Sequence, residues 1–124
     1  MIVVVAQRKK ELEMKAANSM IEYREELFKA LANIKRLQIL ELLCEKGELC
    51  VCEITPELES EQSNVSQHLA VLKEAGILAS RRDGTRVMYW IDNPKVCQVI
   101  EAADDYIYKL LAKKEEGLRE LIKH

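Results

Sequence analysis

The sequence predicts a mainly α-helical domain closed by a β-hairpin, and three stretches carry that prediction. Residues 60–76 read as an amphipathic helix. Ser60 can accept from its first free amides, and Gly76 can adopt the left-handed conformation that ends it. At 100° per residue Val65, Leu69 and Leu72 share one narrow arc, while Ser63, Gln67, Ala70 and Glu74 lie opposite, with Ser66 and Gln62 at the margins. Directly after it, two β-prone runs, residues 77–82 and 86–91, flank Asp83-Gly84, a strong short hairpin signal. Arg81, Arg82 and Arg86 gather at the hairpin tip. Asn93-Pro94 then reads as an N-cap and first helical residue, opening a long helix through Val96, Val99, Ile100, Ala103, Ile107, Leu110 and Leu111. A helix with a short, polar outer face followed at once by an Arg-tipped hairpin is the arrangement of a winged helix-turn-helix.

The remaining elements follow in order. Residues 7–19 are rich in Lys and Glu with a thin apolar face of Leu12, Met14, Ala16 and Ala17, which suits a helix. A second helix is expected over residues 21–32, with Ile21, Leu27, Phe28 and Leu31 as a buried stripe. Asn33 breaks the pattern, and residues 35–45 resume it through Leu37, Leu40, Leu43 and Cys44 up to Gly47. Residues 49–54 allow only a turn or two of helix, because Pro56 follows closely. Gly117 is expected to bend or end the last helix before Leu118, Leu121 and Ile122. This divides the chain into an N-terminal arm (1–20), a winged domain (21–92) and a C-terminal helix (93–124). The amphipathic end helices carry more apolar surface than so small a core can cover, so homodimerisation through both is expected.

With 124 residues there is room for one domain of modest core. The net charge of −2 argues against a protein that coats nucleic acid through bulk electrostatics. Between residues 60 and 90, Lys73, Arg81, Arg82 and Arg86 outnumber Glu61, Glu74 and Asp83 by one, with three of the cations on the hairpin. Binding to DNA must therefore be local. Short hydroxyls and amides let a helix approach base edges closely and offer both donors and acceptors. Gln62, Ser63, Asn64, Ser66 and Gln67 are the candidate contacts on the helix, and Arg81, Arg82 and Arg86 the candidate grips on phosphate or the minor groove. A dimer places two such helices about one DNA turn apart, which suits an inverted repeat in double-stranded DNA. The start of the chain is apolar but far too short to span a bilayer and lacks a basic leader region, so a cytoplasmic protein without membrane contact is expected. There is no Gly-rich phosphate loop, and the two histidines form no catalytic set with a cysteine, which argues against an enzyme.

Four cysteines in such a chain point to ligands or redox thiols rather than structural disulfides. Cys50 and Cys52 are two apart, about 200° around a regular helix, so they can converge only at a frayed or distorted first turn. There the helix N-terminus would also favour the thiolate, and soft thiolates select ions such as Zn(II), Cd(II), Pb(II), Cu(I) or As(III). Cys44 continues the stripe of Leu37 and Leu40 and is expected in the core; Cys97 lies in the first turn of the long helix, placed to reach a partner subunit or to be inert. His68 flanks the buried stripe beside Leu72 and is expected to be a packed, hydrogen-bonded structural residue.

From about Glu26 to Asp92 the chain resembles the ArsR family of metal- and metalloid-responsive repressors. Residues 26–40 look like the family's opening signature. Glu48-Leu49-Cys50-Val51-Cys52-Glu53 is similar to its metal-binding box, Gln62 to Leu69 to its recognition helix and Arg81-Arg82-Asp83-Gly84 to its wing. The resemblance implies a dimer that occupies an operator and is released when an ion binds at Cys50 and Cys52. As(III) is the first expectation and Cd(II), Pb(II) or Zn(II) the next, with no cofactor needed for DNA binding. Thr55 and Pro56 stand where arsenic-type members often carry a third cysteine, and the N-terminal arm has none of the cysteines of the cadmium/lead type. No histidine occurs between Asn93 and Gly117, which argues against a zinc site on the last helix despite Asp104 and Asp105. A third ligand would have to be Cys44, Cys97 or an external thiol. The rival expectation keeps the fold and makes the cysteines a redox or persulfide switch, with Cys44 and Cys97 the important pair.

Overall fold

The computed structural model describes residues 2–123; Met1 and His124, the outermost residues of the expected arm and C-terminal helix, lie outside the described residues. Among the described residues five helices and three strands follow one another as α1 (Ile2–Leu31), α2 (Ile34–Lys46), β1 (Leu49–Cys50), α3 (Val51–Glu57), α4 (Gln62–Glu74), β2 (Leu78–Asp83), β3 (Arg86–Ile91) and α5 (Lys95–Lys123). The fold is the expected winged helix-turn-helix, mainly α with a small antiparallel sheet.

The core lies where α2, α3 and α4 meet the inner ends of the strands. Ile39, Leu40 and Leu43 of α2, Ile54 of α3 and Val65, Leu69 and Leu72 of α4 are almost wholly withdrawn from water. Leu49, Ile77 and Leu78 close the sheet side, and Ala30 and Leu31 bring in the end of α1. This confirms the stripe of the 60–76 helix.

Several local expectations are corrected. The two N-terminal helices are one: α1 runs unbroken for 30 residues, because no Gly or Pro interrupts it and polar Asn18 and Ser19 are tolerated on its exposed surface. The break comes at Asn33, whose side-chain oxygen accepts from the Arg36 amide at 3.2 Å and so starts α2. Cys44 is exposed. In α2 the buried arc is set by Ile39, Leu40 and Leu43, and at 100° per residue Leu37 and Cys44 share a different side, where both are solvent-accessible. The 49–54 segment is split, with Leu49 and Cys50 extended and paired to β3 before α3 begins, and α3 extends through Pro56 to Glu57. Helix α4 begins at Gln62 with Glu61 as its N-cap; the Ser60 hydroxyl instead accepts from the Asn64 side chain at 3.2 Å. Gly117 does not end α5, which continues to Lys123.

In the hairpin, Asp83 pairs with Arg86, so the two-residue loop is Gly84-Thr85 rather than Asp83-Gly84. Gly84 has φ +66, and among the described residues Glu59 is the only non-glycine with positive φ, so Thr85 has none. Glycine leading a two-residue loop matches the right-handed strand twist. The sheet order is β1-β3-β2, which puts β3 in the middle.

Candidate nucleic-acid interface and thiol cluster

On α4 the buried stripe fixes the rotation of the helix, and Gln62, Ser63, Asn64, Ser66 and Gln67 are all exposed as a result. The wing arginines are exposed too, but they are not equivalent. Arg81 forms an ion pair with Glu48, just ahead of β1, and its guanidinium lies 5.7 Å from the centre of the Trp90 ring. Among the described residues Arg82 and Arg86 make no ion pair. The sequence places all three arginines at the tip but does not reveal that one is engaged.

His68 is half-buried on the flank of α4. Its Nδ1 faces Arg36 Nη1 at 3.4 Å, a long contact in which the ring nitrogen can only accept, so the neutral ring carries its proton on Nε2. Arg36 also donates from Nε to the Ala30 carbonyl at 2.6 Å and from Nη2 to that of Lys29 at 3.2 Å, capping the end of α1. One guanidinium thereby joins α1, α2 and α4. Burial first, then the charges of Arg36 and Lys35, hold the His68 pKa below its ordinary value.

The cysteines form two pairs, each closed as a disulfide. Cys44 on α2 is joined to Cys97 on α5, with 6.1 Å between their Cα atoms. Cys50 is joined to Cys52 with 5.2 Å. Cys50 can meet Cys52 because it is not on the helix: it is the extended N-cap of α3, at the end of β1, with φ −86 and ψ 165. That resolves the 200° objection to Cys-x-Cys. Glu53, not among the residues the sequence singles out as ligands, joins them here: its carboxylate accepts from the Cys50 amide at 3.1 Å. The spacing from N-cap to third helical residue is that of a capping box, a signal that could have found it. The sulfurs of Cys50 and Cys52 and a Glu53 oxygen lie within 4.8 Å of one another, so the reduced pair and the carboxylate could hold one ion. Cys50 is buried while Cys52 and Glu53 are exposed, which leaves an entry side. Cys44 and Cys97 belong to a different place: they border an apolar groove of about 930 Å³ between α1, α2 and α5, with Phe28, Leu37, Ile100 and Ile107 in its walls.

Residues 33–80 match the family model described as bacterial regulatory protein, arsR family. Among curated proteins, the chain is 44% identical over 80 residues to an uncharacterised HTH-type transcriptional regulator of Methanocaldococcus jannaschii, covering 64% of this chain and 90% of that one. It is 37% identical over 93 residues to the arsenical resistance operon repressor of Bacillus subtilis, covering 75% and 86%. It is 40% identical over 77 residues to a CadC homologue, a cadmium resistance regulator of Staphylococcus aureus, covering 62% and 64%. Among solved structures, a homodimeric winged helix-turn-helix DNA-binding domain from Mycobacterium bovis superposes with a TM-score of 0.69 at 32% identity, over 77% of this chain and 87% of that one. Reduced HlyU from Vibrio cholerae does so with a TM-score of 0.62 at 38% identity, over 73% and 90%.

Proposed function

The chain belongs to the ArsR family of bacterial regulatory proteins, transcriptional regulators rather than enzymes, and from that premise we propose that it is a homodimeric cytoplasmic repressor released from operator DNA by a thiophilic ion. Gln62, Ser63, Asn64, Ser66 and Gln67 read the major groove, while Arg82 and Arg86 hold phosphates. The ion site is Cys50 and Cys52 in their reduced form, with Glu53 as third donor. The observation that carries this reading is the convergence of these three groups at the start of α3, the helix immediately before the reading helix. The arsenical and cadmium regulators among the relatives support an ion of this kind. Two sulfurs suit As(III) with an external thiol as third ligand; two sulfurs and a carboxylate suit Cd(II), Pb(II) or Zn(II). Bound ion needs to favour a binding-incompetent arrangement by only about 1–3 kcal/mol to change operator affinity roughly 5–150-fold. Cys50→Ser and Cys52→Ser should each keep DNA binding and lose release by ion. Release that persists in both variants contradicts the site.

Surface area supports the dimer. The chain exposes 9996 Å², whereas a compact protein of this mass exposes about 6,800 Å². The excess is of the order that obligate dimers bury.

A second reading, a thiol redox switch, is favoured by the Cys44–Cys97 pair, which ties α2 to α5 across 53 residues of chain. Oxidation would then alter DNA affinity in the Cys50→Ser/Cys52→Ser protein and not in Cys97→Ser. Equal response of both variants contradicts it.

A further inference from the structure

The ion pair between Glu48 and Arg81 has a consequence for how DNA is held. In the three-stranded sheet, Met88 of β3 pairs with Cys50 on one side and Arg81 on the other, so these three residues form one cross-strand row. Trp90 lies two residues after Met88 on β3 and so tends to the same face as Arg81, and Glu48 stands just ahead of β1. That placement is why Arg81 can lie near the Trp90 ring while meeting the Glu48 carboxylate. The side chains of Arg81 and Glu48 remain 51% and 36% exposed, so the pair is open to an incoming phosphate.

We propose that Glu48 is an internal competitor for DNA: its carboxylate occupies the wing arginine that a backbone phosphate would otherwise take. The proposal rests on the DNA-binding reading above. An arginine prefers a planar pair of anionic oxygens, and carboxylate and phosphate offer it equivalent ones. Glu48 thus restrains affinity at the edge of the interface, leaving Arg82 and Arg86 as the cations immediately available. Because Glu48 leads directly into Cys50, the residue that withholds Arg81 and the N-cap of the thiol cluster belong to one short segment. Movement of that segment alters Arg81's partner without any change in subunit arrangement.

The test is fluorescence anisotropy of the reduced full-length protein on a labelled duplex of its own upstream sequence, over a range of salt concentrations. Glu48→Gln should tighten binding about threefold to fivefold at low salt, the worth of one exposed charge pair. It should also steepen the salt dependence by about one released counterion. In an Arg81→Gln background the same substitution should have no effect. An unchanged or weaker affinity in Glu48→Gln, or a gain that persists without Arg81, overturns the proposal. Should the Glu48 variant not fold, Arg81→Gln and Arg82→Gln decide it: Arg81→Gln is expected to cost less affinity and leave the salt dependence unchanged, and equal losses overturn the proposal. Wild-type protein that does not bind DNA would remove the underlying DNA reading itself, whereas binding with no Glu48 effect removes only this inference.

Discussion

At the scale of single residues, chemistry is decided by small differences in partner. Arg82 is exposed and makes no ion pair among the described residues, so Arg82→Gln should weaken binding to specific and scrambled duplexes alike and lower the salt dependence by about one unit. A loss confined to one base-pair position would instead make it a base reader. His68 gives a pH dependence with a definite sign. Its folded pKa lies below the value of about 6.5 that it has when unfolded, so the unfolded chain binds the proton more readily. The stability it supports is full above about pH 6.5 and is lost as pH falls toward the lower, folded value. Chemical denaturation at neutral pH and at about pH 5.5 should show a smaller acid loss in His68→Asn, which keeps an acceptor for Arg36 but cannot be protonated; an identical loss in both proteins would contradict the assignment. That His68 is structural was legible from its angular position beside Leu72. Its partner was not, because Arg36 is 32 residues away and arrives only through the packing of α2 on α4.

At the scale of elements, periodicity made α4 legible and local chemistry decided its ends less reliably. Val65, Leu69 and Leu72 fixed its buried face, whereas the cap moved from Ser60 to Glu61 because the Ser60 hydroxyl is used by Asn64. The short helix α3 was harder: Cys50 looks helical by spacing, yet cross-strand pairing with Met88 pulls it into the sheet, and that pairing makes the Cys-x-Cys geometry workable. The turn after α3 stores strain. Glu59 sits at φ +50, where a side chain costs about 1–2 kcal/mol. Glu59→Gly is expected to stabilise the protein by about 0.5–1 kcal/mol once the greater freedom of glycine in the unfolded chain is offset. A lower melting temperature in that variant would contradict this account of the turn. Cys44 and Cys97 could be named from the sequence as a redox pair, but not that they meet within one chain, since the exposed position of Cys44 depends on which side of α2 the core selects.

At the scale of the whole molecule, the arms are what a monomer leaves unsatisfied. Ile107, Leu110, Leu111, Leu118, Leu121 and Ile122 follow one side of α5 and are all substantially exposed. A second copy of this chain is the partner proposed for this stripe, in line with the homodimeric relative of the same fold. Leu111 and Leu118 are seven residues apart, on the same face, and neither belongs to the core. Replacing both with Lys should leave the winged domain folded, shift sedimentation from dimer to the 14.3 kDa monomer and weaken operator binding at least tenfold. A dimer that survives the double substitution would place the interface elsewhere.

The most direct measurement is the anisotropy of the reduced protein on its own upstream DNA, titrated separately with As(III), Cd(II) and Zn(II). The account predicts tight binding that one of these ions reverses in wild type and none reverses in Cys50→Ser. Tight binding indifferent to every ion, but lost on mild oxidation, would contradict ion release at Cys50 and Cys52 and leave the Cys44–Cys97 pair as the switch.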